Sequence, residues 1–437
     1  MTSPQNNGTE DNFEQTSSEE INDVQENLEQ PPEKTSRKAL FSPTMLVMIT
    51  MVILIGTGEK LAERFLPLYI QDIGGSVVII GLLNGMDNLL SALYSFPGGY
   101  LSDKIGYKKS LIVFNIMAMT GFLIVILIPK PWAVLVGAFF FISWTAISLP
   151  AIMSLVAHAV PKTRRTMGVT VHSLTRRIPM AVGPIIGGVL ITSLGMVLGI
   201  KIAFSIALAL GAVAIVLEIF FIQEGGNKKD KKITLRNSLQ NISPDLRNLL
   251  ISDILIRFSE QIPYAFLAIW AVTDNGMSEL HFGYLTAIEM VTALLIYIPV
   301  AYFADRGTKK PFVLATFIFF TLFPVMLILS VKFFSFGFMI VAFVIRGFKE
   351  FGEPTRKALI MDLAPEGAKA NTFGIYYLIR DVIVSIAAFG GAFLWLLGPL
   401  VNFSIATGFG VIGVIFFALY GRDLGKKKNE SLQSSIQ

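Results

Sequence analysis

The sequence predicts an all-α polytopic membrane protein of twelve transmembrane helices, built as two repeat-related six-helix bundles around a central cavity. Three observations predict it. First, 53% of the 437 residues are hydrophobic and only 15% are charged, against roughly 25% charged in soluble domains; mean hydropathy is +0.63. Second, apolar runs of about 20 residues, the length a bilayer-crossing helix needs, recur along the chain. Third, one pattern is written twice, about two hundred positions apart. Pro97-Gly-Gly-Tyr100-Leu-Ser-Asp103-Lys-Ile-Gly106-Tyr-Lys108-Lys109 returns as Pro299-Val-Ala-Tyr302-Phe-Ala-Asp305-Arg306-Gly307-Thr-Lys309-Lys310. In register with it, Glu59 before Phe65-Leu66 matches Glu260 before Phe266-Leu267, and Pro150 and Pro161 match Pro354 and Pro365. Duplicated halves place a site at the interface between them.

Taken in order, residues 1–43 read as an acidic disordered tail. Residues 1–38 carry nine acids and three bases, a net of −6 that leaves +11 on the rest of a +5 chain. The tail is polar and poor in aromatics, and it lacks the basic stretch, short apolar run and cleavage site of a signal peptide. A first bundle over 44–222 follows, with spans at 44–71, 77–102, 107–128, 132–159, 168–193 and 197–222. A polar linker at 223–246, containing Lys228-Lys229-Asp230-Lys231-Lys232, leads to a second bundle over 247–422. Its spans are 247–273, 281–304, 311–331, 334–363, 372–397 and 400–421, and a basic tail at 423–437 closes the chain. Lysines and arginines concentrate on one side of the loops, at Lys104, Lys108, Lys109, Lys162, Arg164, Arg165, the 228–232 run, Arg306, Lys309, Lys310, Lys369 and Lys426-Lys427-Lys428, against little beyond Lys130, Lys201 and Lys332 on the other. The positive-inside rule makes that side, and both termini, cytoplasmic. The expected home is a bacterial inner (plasma) membrane, and a monomer suffices for function.

Several classes are excluded or disfavoured. The chain has no cysteine, so no disulfide, thiolate nucleophile or thiolate metal site is possible. His158, His172 and His281 are scattered, and no metal or cofactor is expected. The basic excess lies in loops between apolar runs, which does not suggest nucleic acid. Gly408-Phe-Gly410-Val-Ile-Gly413 matches a dinucleotide fingerprint as a string but sits inside an apolar span with no preceding strand. No phosphate-binding loop and no nucleophile–base pairing stand out, so an enzyme is the weakest reading.

On the loop Gly99-x-x-x-Asp103-x-x-Gly106-x-Lys108-Lys109 the chain resembles the major facilitator superfamily of secondary transporters, over nearly all of residues 44–422. The second-half copy is one residue shorter and lacks the first glycine. Gly183-Pro184-Ile-Ile-Gly187-Gly188 in span 5 is similar to a motif typical of proton-linked exporters in that superfamily. The resemblance implies alternating access, and it implies that spans 1, 4, 7 and 10 line the central cavity. Asp103, Lys108 and Lys109, with Asp305 and Arg306, would form a latch between the halves. Gly183, Pro184 and Gly187 would govern a kinked helix at the moving interface, or pack it without bearing on direction.

Ionisable groups at bilayer depth cost at least roughly 2.5–3.5 kcal/mol, so they face a partner or water. Glu59, Asp87, Glu260 and Glu289 fall near the midplane and are the proton-coupling candidates. Span 10 carries Arg346, Lys349, Glu350, Glu353, Arg356 and Lys357, which on a continuous helix fall within about 120°. Substrate-binding candidates are Arg176, Arg177, Arg380, Glu63, Arg64, Trp144, Tyr264, Arg346, Glu350 and Glu353, with Arg176 and Arg177 preferred; Asp381 is a gating partner. Two readings stand side by side. A buried carboxylate carries a proton while arginines grip an anionic or zwitterionic substrate, or the charges neutralise one another through i,i+4 pairs such as Arg346–Glu350, Lys349–Glu353 and Glu353–Lys357. The expected function is secondary active transport of a small, charged organic solute, proton-coupled and outward, with a proton gradient as its partner. Uptake of an anionic metabolite, movement of a charged lipid, and a membrane sensor on a transporter fold are the alternatives.

Overall fold

Long apolar sequence satisfies its backbone inside a membrane only as helix, and helix is what the chain adopts. The computed structural model of the protein describes residues 43–142, 144–159, 175–222, 243–304, 308–364 and 369–422. Among them, twelve helical passes follow one another. In the first half they are α1 (Pro43–Ala62) with α2 (Leu66–Asp72), α3 (Val77–Ile105), α4 (Tyr107–Leu127), α5 (Pro131–Phe141) with α6 (Trp144–Ala159), α7 (Arg177–Leu194) and α8 (Met196–Phe221). In the second half they are α9 (Pro244–Tyr264), running on to Asp274, then α10 (Glu279–Ala304), α11 (Lys310–Phe333), α12 (Phe336–Gly347) with α13 (Glu353–Leu363), α14 (Lys369–Leu396) and α15 (Pro399–Tyr420). Ten passes are long and apolar enough to cross a membrane. The other two, spans 7 and 10 of the sequence, are the ones whose charges break up the apolar run.

Turns between passes are short because single residues reverse the chain. Gly106 at φ +87° closes α3, its N–H donating to the Ser102 carbonyl, and opens α4, its carbonyl accepting from Ser110. Gly195 at φ +82° does the same between α7 and α8, and only glycine adopts this region without strain. The duplication extends to this detail. Gly74 and Gly276 are left-handed at matching turns of the two halves, as are Gly195 and Gly398. Prolines start α5, α9 and α15, where a missing N–H costs nothing.

One face of the molecule, the terminal face, gathers the ends near residues 106, 221, 244, 310, 363 and 420. There Lys108 Nζ donates to the Ile219 carbonyl and Lys310 Nζ to the Ala418 carbonyl, each at 2.8 Å. The opposite, distal face is where the two bundles meet closely. A Cβ on Gly85 of α3 would stand 2.9 Å from Phe389 Cβ on α14, and one on Gly188 of α7 would stand 2.8 Å from the Glu279 carbonyl at the start of α10. Thr273 Oγ1 donates to Gln71 Oε1 at 3.1 Å, and Thr192 Oγ1 to Glu279 Oε2 at 3.2 Å, both across the bundle interface. Phe65 and Phe282 meet edge to face at 6.1 Å, within a buried apolar cluster that runs through both bundles. The distal end is shut.

Four passes are broken within the membrane-spanning region: span 1 at Glu63–Phe65, span 4 at Ile142, span 7 after Tyr264, and span 10 at Phe348–Glu350. They are the first and fourth helices of each half, so the breaks repeat with the sequence. Irregular backbone at membrane depth persists only where protein buries it or a cavity receives it. Because the chain lacks cysteine, a Gln71→Cys/Thr273→Cys pair supplies the only thiols. Oxidation should crosslink it in the resting protein, and adding Gly85→Leu, which wedges α3 from α14, should abolish most of that crosslinking on a gel.

Candidate functional site

The breaks of spans 1, 4 and 7 reach the wall of a cavity with about 570 Å³ of atom-free space, and Arg346 lines it from the end of α12, just before the break in span 10. The turn after α1 delivers Glu63 and Arg64 to its wall, α3 delivers Asn84 and Asp87, and α9 ends on it with Tyr264. From α10 come Thr286 and Glu289, and from α12 comes Arg346. Leu66, Pro67, Leu267, Phe282 and Phe343 supply the apolar surround. Both bundles therefore build one site.

Its electrostatics differ sharply between the halves. In the second, ion pairs form a continuous chain. Arg346 Nε lies 3.1 Å from Glu289 Oε1, and Lys349 Nζ lies 2.8 Å from the same oxygen and 2.9 Å from Glu260 Oε1. Glu260 Oε2 accepts from Arg257 at 2.7 Å, and Arg257 sits 3.9 Å from Asp253 and 3.8 Å from Glu353. Arg356 pairs with Asp253 and, at 2.6 Å, with Glu353. Asp253 also accepts from Arg380 at 3.4 Å and from Tyr376 at 3.0 Å, and Arg380 holds Asp381 at 2.7 Å. In the first half, Lys60 holds Glu59 at 3.0 Å and also pairs with Glu63. Asp87 has no ion pair or hydrogen bond among the described residues. Arg64 has no ion pair either, and its guanidinium lies 4.8 Å from the Tyr264 ring centre.

Side-chain hydrogen bonds also cross between the bundles near the cavity. Arg177 Nη2 donates to Glu350 Oε2 at 2.8 Å. Asn84 donates to the Gln261 carbonyl at 3.0 Å and Asn88 to Gln261 Oε1 at 3.2 Å.

A model of the Major Facilitator Superfamily matches residues 48–248 and again 249–435. The chain belongs to the major facilitator superfamily. An uncharacterised MFS-type transporter of Methanocaldococcus jannaschii is 22% identical over 359 residues, covering 79% of this chain and 86% of that protein. A multi-drug resistance efflux pump PmrA homolog of Lactococcus lactis is 26% identical over 227 residues, covering 50% and 55%. Among solved structures, a POT family transporter in complex with a thioalcohol-conjugated peptide superposes with a TM-score of 0.70 at 13% identity, over 85% of this chain and 94% of that one. A bacterial homolog of the human lysosomal transporter Spinster, inward-facing and unoccupied, gives 0.67 at 14% identity, over 86% and 95%. These low identities speak for the fold. The protein is an integral membrane transporter rather than an enzyme.

Within the superfamily fold, the sequence-selected residues separate into groups. Glu63, Arg64, Asp87, Tyr264, Glu289 and Arg346 meet in the cavity. Glu260, Glu353, Arg380 and Asp381 sit in the ion-pair chain beside it. Arg177 bridges the bundles through Glu350, and Arg176 reaches no ion-pair partner among the described residues. Trp144 is turned away from the cavity, its indole Nε1 donating to Asn115 Oδ1 at 2.7 Å. Gly183 and Gly187 press α7 onto Lys60 and Leu61 of α1, while the Pro184 carbonyl and Gly188 meet Gly283 and Glu279 of α10. Lys108 bonds within its own bundle and Lys109 is exposed. The Asp103 side chain, Asp305 and Arg306 lie outside the described residues.

One expectation needs correction. The pairs Arg346–Glu350 and Lys349–Glu353 assumed an unbroken helix. The 3₁₀ turn and Gly352 interrupt span 10, so Arg346 and Lys349 reach Glu289 and Glu260 instead, and Glu353–Lys357 at 3.4 Å is the pair of the three that forms. Sequence reading also passed over Asn84, Asn88 and Thr286, and a fully buried acid, Glu218, which accepts from Asn115 at 2.5 Å. Glu218 is the one acid in α8, three residues from the end of the helix, so the midplane criterion that flagged Glu59 passes over it.

Removing a partner from a buried pair leaves an uncompensated charge, typically worth about 3–5 kcal/mol. Lys349→Ala strips a cation from both Glu260 and Glu289, so a loss of stability of about that size is expected in detergent-solubilised protein by thermal unfolding. Glu289→Gln added to Lys349→Ala should restore part of it.

Proposed function

We propose that this transporter exports a small organic solute by alternating access, coupled to protons moving the other way. The observation that carries the reading is the cavity itself. It is built by both bundles, sealed at the distal face, and spanned toward the other side by the single Arg177–Glu350 bridge among the ion pairs of the described residues. Rocking of residues 44–222 against 247–422 around that cavity exposes it to one side at a time. With the terminal face cytoplasmic, as the lysine and arginine distribution favours, the cavity loads from the cytoplasm after Arg177 and Glu350 part.

The acids are not equivalent as proton carriers. Glu260 and Glu289 each engage two cations, so a proton on either disrupts several contacts. Asp87 has no such contacts to lose, and Glu59 has one cation and a second oxygen without a hydrogen-bond partner. We assign coupling to Asp87 and Glu59, and neutralisation of the second bundle to Glu260 and Glu289. Export is favoured by the span 5 motif and by the relative named as a multi-drug efflux pump. Uptake of an anionic metabolite, or movement of a charged lipid, is the second reading, favoured by two arginines at the cavity.

Proteoliposomes holding an internal pH dye test this under an imposed solute gradient. Solute-dependent proton movement is expected in wild type, reduced at least about tenfold by Asp87→Asn, as befits loss of an essential proton-transfer group. Glu260→Gln should impair stability more than coupling. Solute flux without proton movement in wild type would remove proton coupling. Arg177→Ala should retain proton coupling but leak solute down its gradient in the absence of a pH difference, measured in the same vesicles.

A further inference from the structure

We propose that the cavity is built for an amphipathic zwitterion, its anionic group held between Arg64 and Arg346 and its cationic group at Asp87. This rests on the transport reading above and names the class of solute.

The assignment comes from asking which polar groups on the wall the protein has already satisfied. Glu63 is taken by Lys60. Glu289 Oε1 is ion-paired with Arg346 Nε and Lys349, while its Oε2 has no hydrogen-bond partner. The Asn84 amide is committed to the carbonyls of Gln261 and Ala388, and the Thr286 hydroxyl donates to the Phe282 carbonyl. What remains is a short set. Asp87 has no hydrogen bond or ion pair among the described residues, with Lys60 and Arg64 as the cations acting on it. Arg64 likewise has none, its guanidinium lying over the Tyr264 ring in the field of Glu289 and Glu63. Arg346 is 3% exposed, yet its Nη2 has no hydrogen-bond partner. Buried donors and charges of this kind are normally satisfied, and leaving one unmet is costly.

The remainder has a geometry as well as a charge. Arg64 comes from the first bundle and Arg346 from the second, and both approach the Tyr264 ring, at 4.8 and 5.3 Å from its centre. Two guanidinium groups on one ring frame a place for a carboxylate or phosphate-type oxyanion, whose oxygens match their paired donors. Asp87 stands on α3 with one carboxylate to offer an ammonium. Between them Leu267, Phe282 and Phe343 present apolar surface for the body of the solute. A monoanion would leave Asp87 unmet, and a monocation would leave Arg64 and the Nη2 of Arg346 unmet. A solute carrying both charges satisfies all three groups, and its anion ties one bundle to the other.

Matched probe triplets test this on purified protein in nanodiscs, read by isothermal titration. One triplet is phenylalanine, its methyl ester and its N-acetyl derivative; the other is leucyl-phenylalanine, its methyl ester and its N-acetyl derivative. Within each triplet the apolar body is nearly constant and the charge is zwitterionic, cationic or anionic. In at least one triplet the zwitterion should bind about tenfold or more tightly than either relative, the margin that about 1.4 kcal/mol of lost pairing provides. Asp87→Asn should erase its margin over the N-acetyl anion, and Arg64→Ala its margin over the ester cation. Thermal unfolding, with Asp87→Glu and Arg64→Lys alongside, confirms that the variants are folded. A singly charged probe that equals its zwitterion, or no binding by either zwitterion at millimolar concentration, overturns the proposal. Selective zwitterion binding without proton movement in vesicles would sink the coupling reading and leave this assignment standing. Proton-coupled flux confined to a singly charged probe would do the reverse.

Discussion

Charge cannot stand alone in a bilayer, and the second bundle is organised around that fact. Arg346, Lys349, Arg257, Arg356 and Arg380 alternate with Glu289, Glu260, Glu353 and Asp253 so that no charge in the chain lacks a neighbour of opposite sign. Individually such pairs are weak arguments for stability, because desolvation offsets much of their attraction. Together they fix where α9, α10, α12, α13 and α14 sit relative to one another, since moving any one would strand a charge. The first bundle has no comparable lattice among the described residues. It presents Asp87 and Arg64 unpaired beside a structure whose own charges are settled, and this asymmetry is what leaves capacity for a ligand and a proton.

Glycine supplies the complementary constraint. Between helices in lipid there is little hydrophobic gain from association, so close backbone approach and van der Waals contact carry the packing. Gly81 and Gly85 admit α14, while Gly188 and Gly283 bring α7 against α10. Gly183 and Gly187 fix the same α7 to α1, the helix that carries Glu59 and leads directly into the turn bearing Arg64. A helix that grips its own bundle on one side and the opposing bundle on the other transmits motion at the interface to the cavity wall.

The architecture was legible in the sequence because it is written in periodic and compositional terms. Span limits such as 132–159 and 400–421 lie within a residue or two of Pro131–Ala159 and Pro399–Tyr420. Partnerships were less legible. Arg346 meets Glu289 from a different helix, a relation that no local spacing encodes, and the i,i+4 pairs failed because helix continuity was assumed across Gly347 to Gly352. Those two glycines flanking the turn were the available sign. Trp144 illustrates a further limit: polarity marked it as a cavity residue, but its indole answers to Asn115. The interbundle clamp of Asn84, Asn88 and Gln261 depends on how the halves meet, which sequence pattern alone does not convey.

The four breaks have a mechanical meaning. An intact helix that tilts must carry both its ends, so opening one face of a bundle would disturb the packing of the other. A helix divided at the cavity is two short levers sharing a joint, and the joint is where the solute would sit. Half of each lever can swing while the other half keeps its neighbours, so a change at one mouth need not reopen the other. The energy scale of the switch is then set by the few backbone hydrogen bonds and side-chain contacts at each joint, and not by separating two whole helical surfaces. Duplication placed these joints in both halves at once, giving the molecule two matched pairs of hinges around a single chamber.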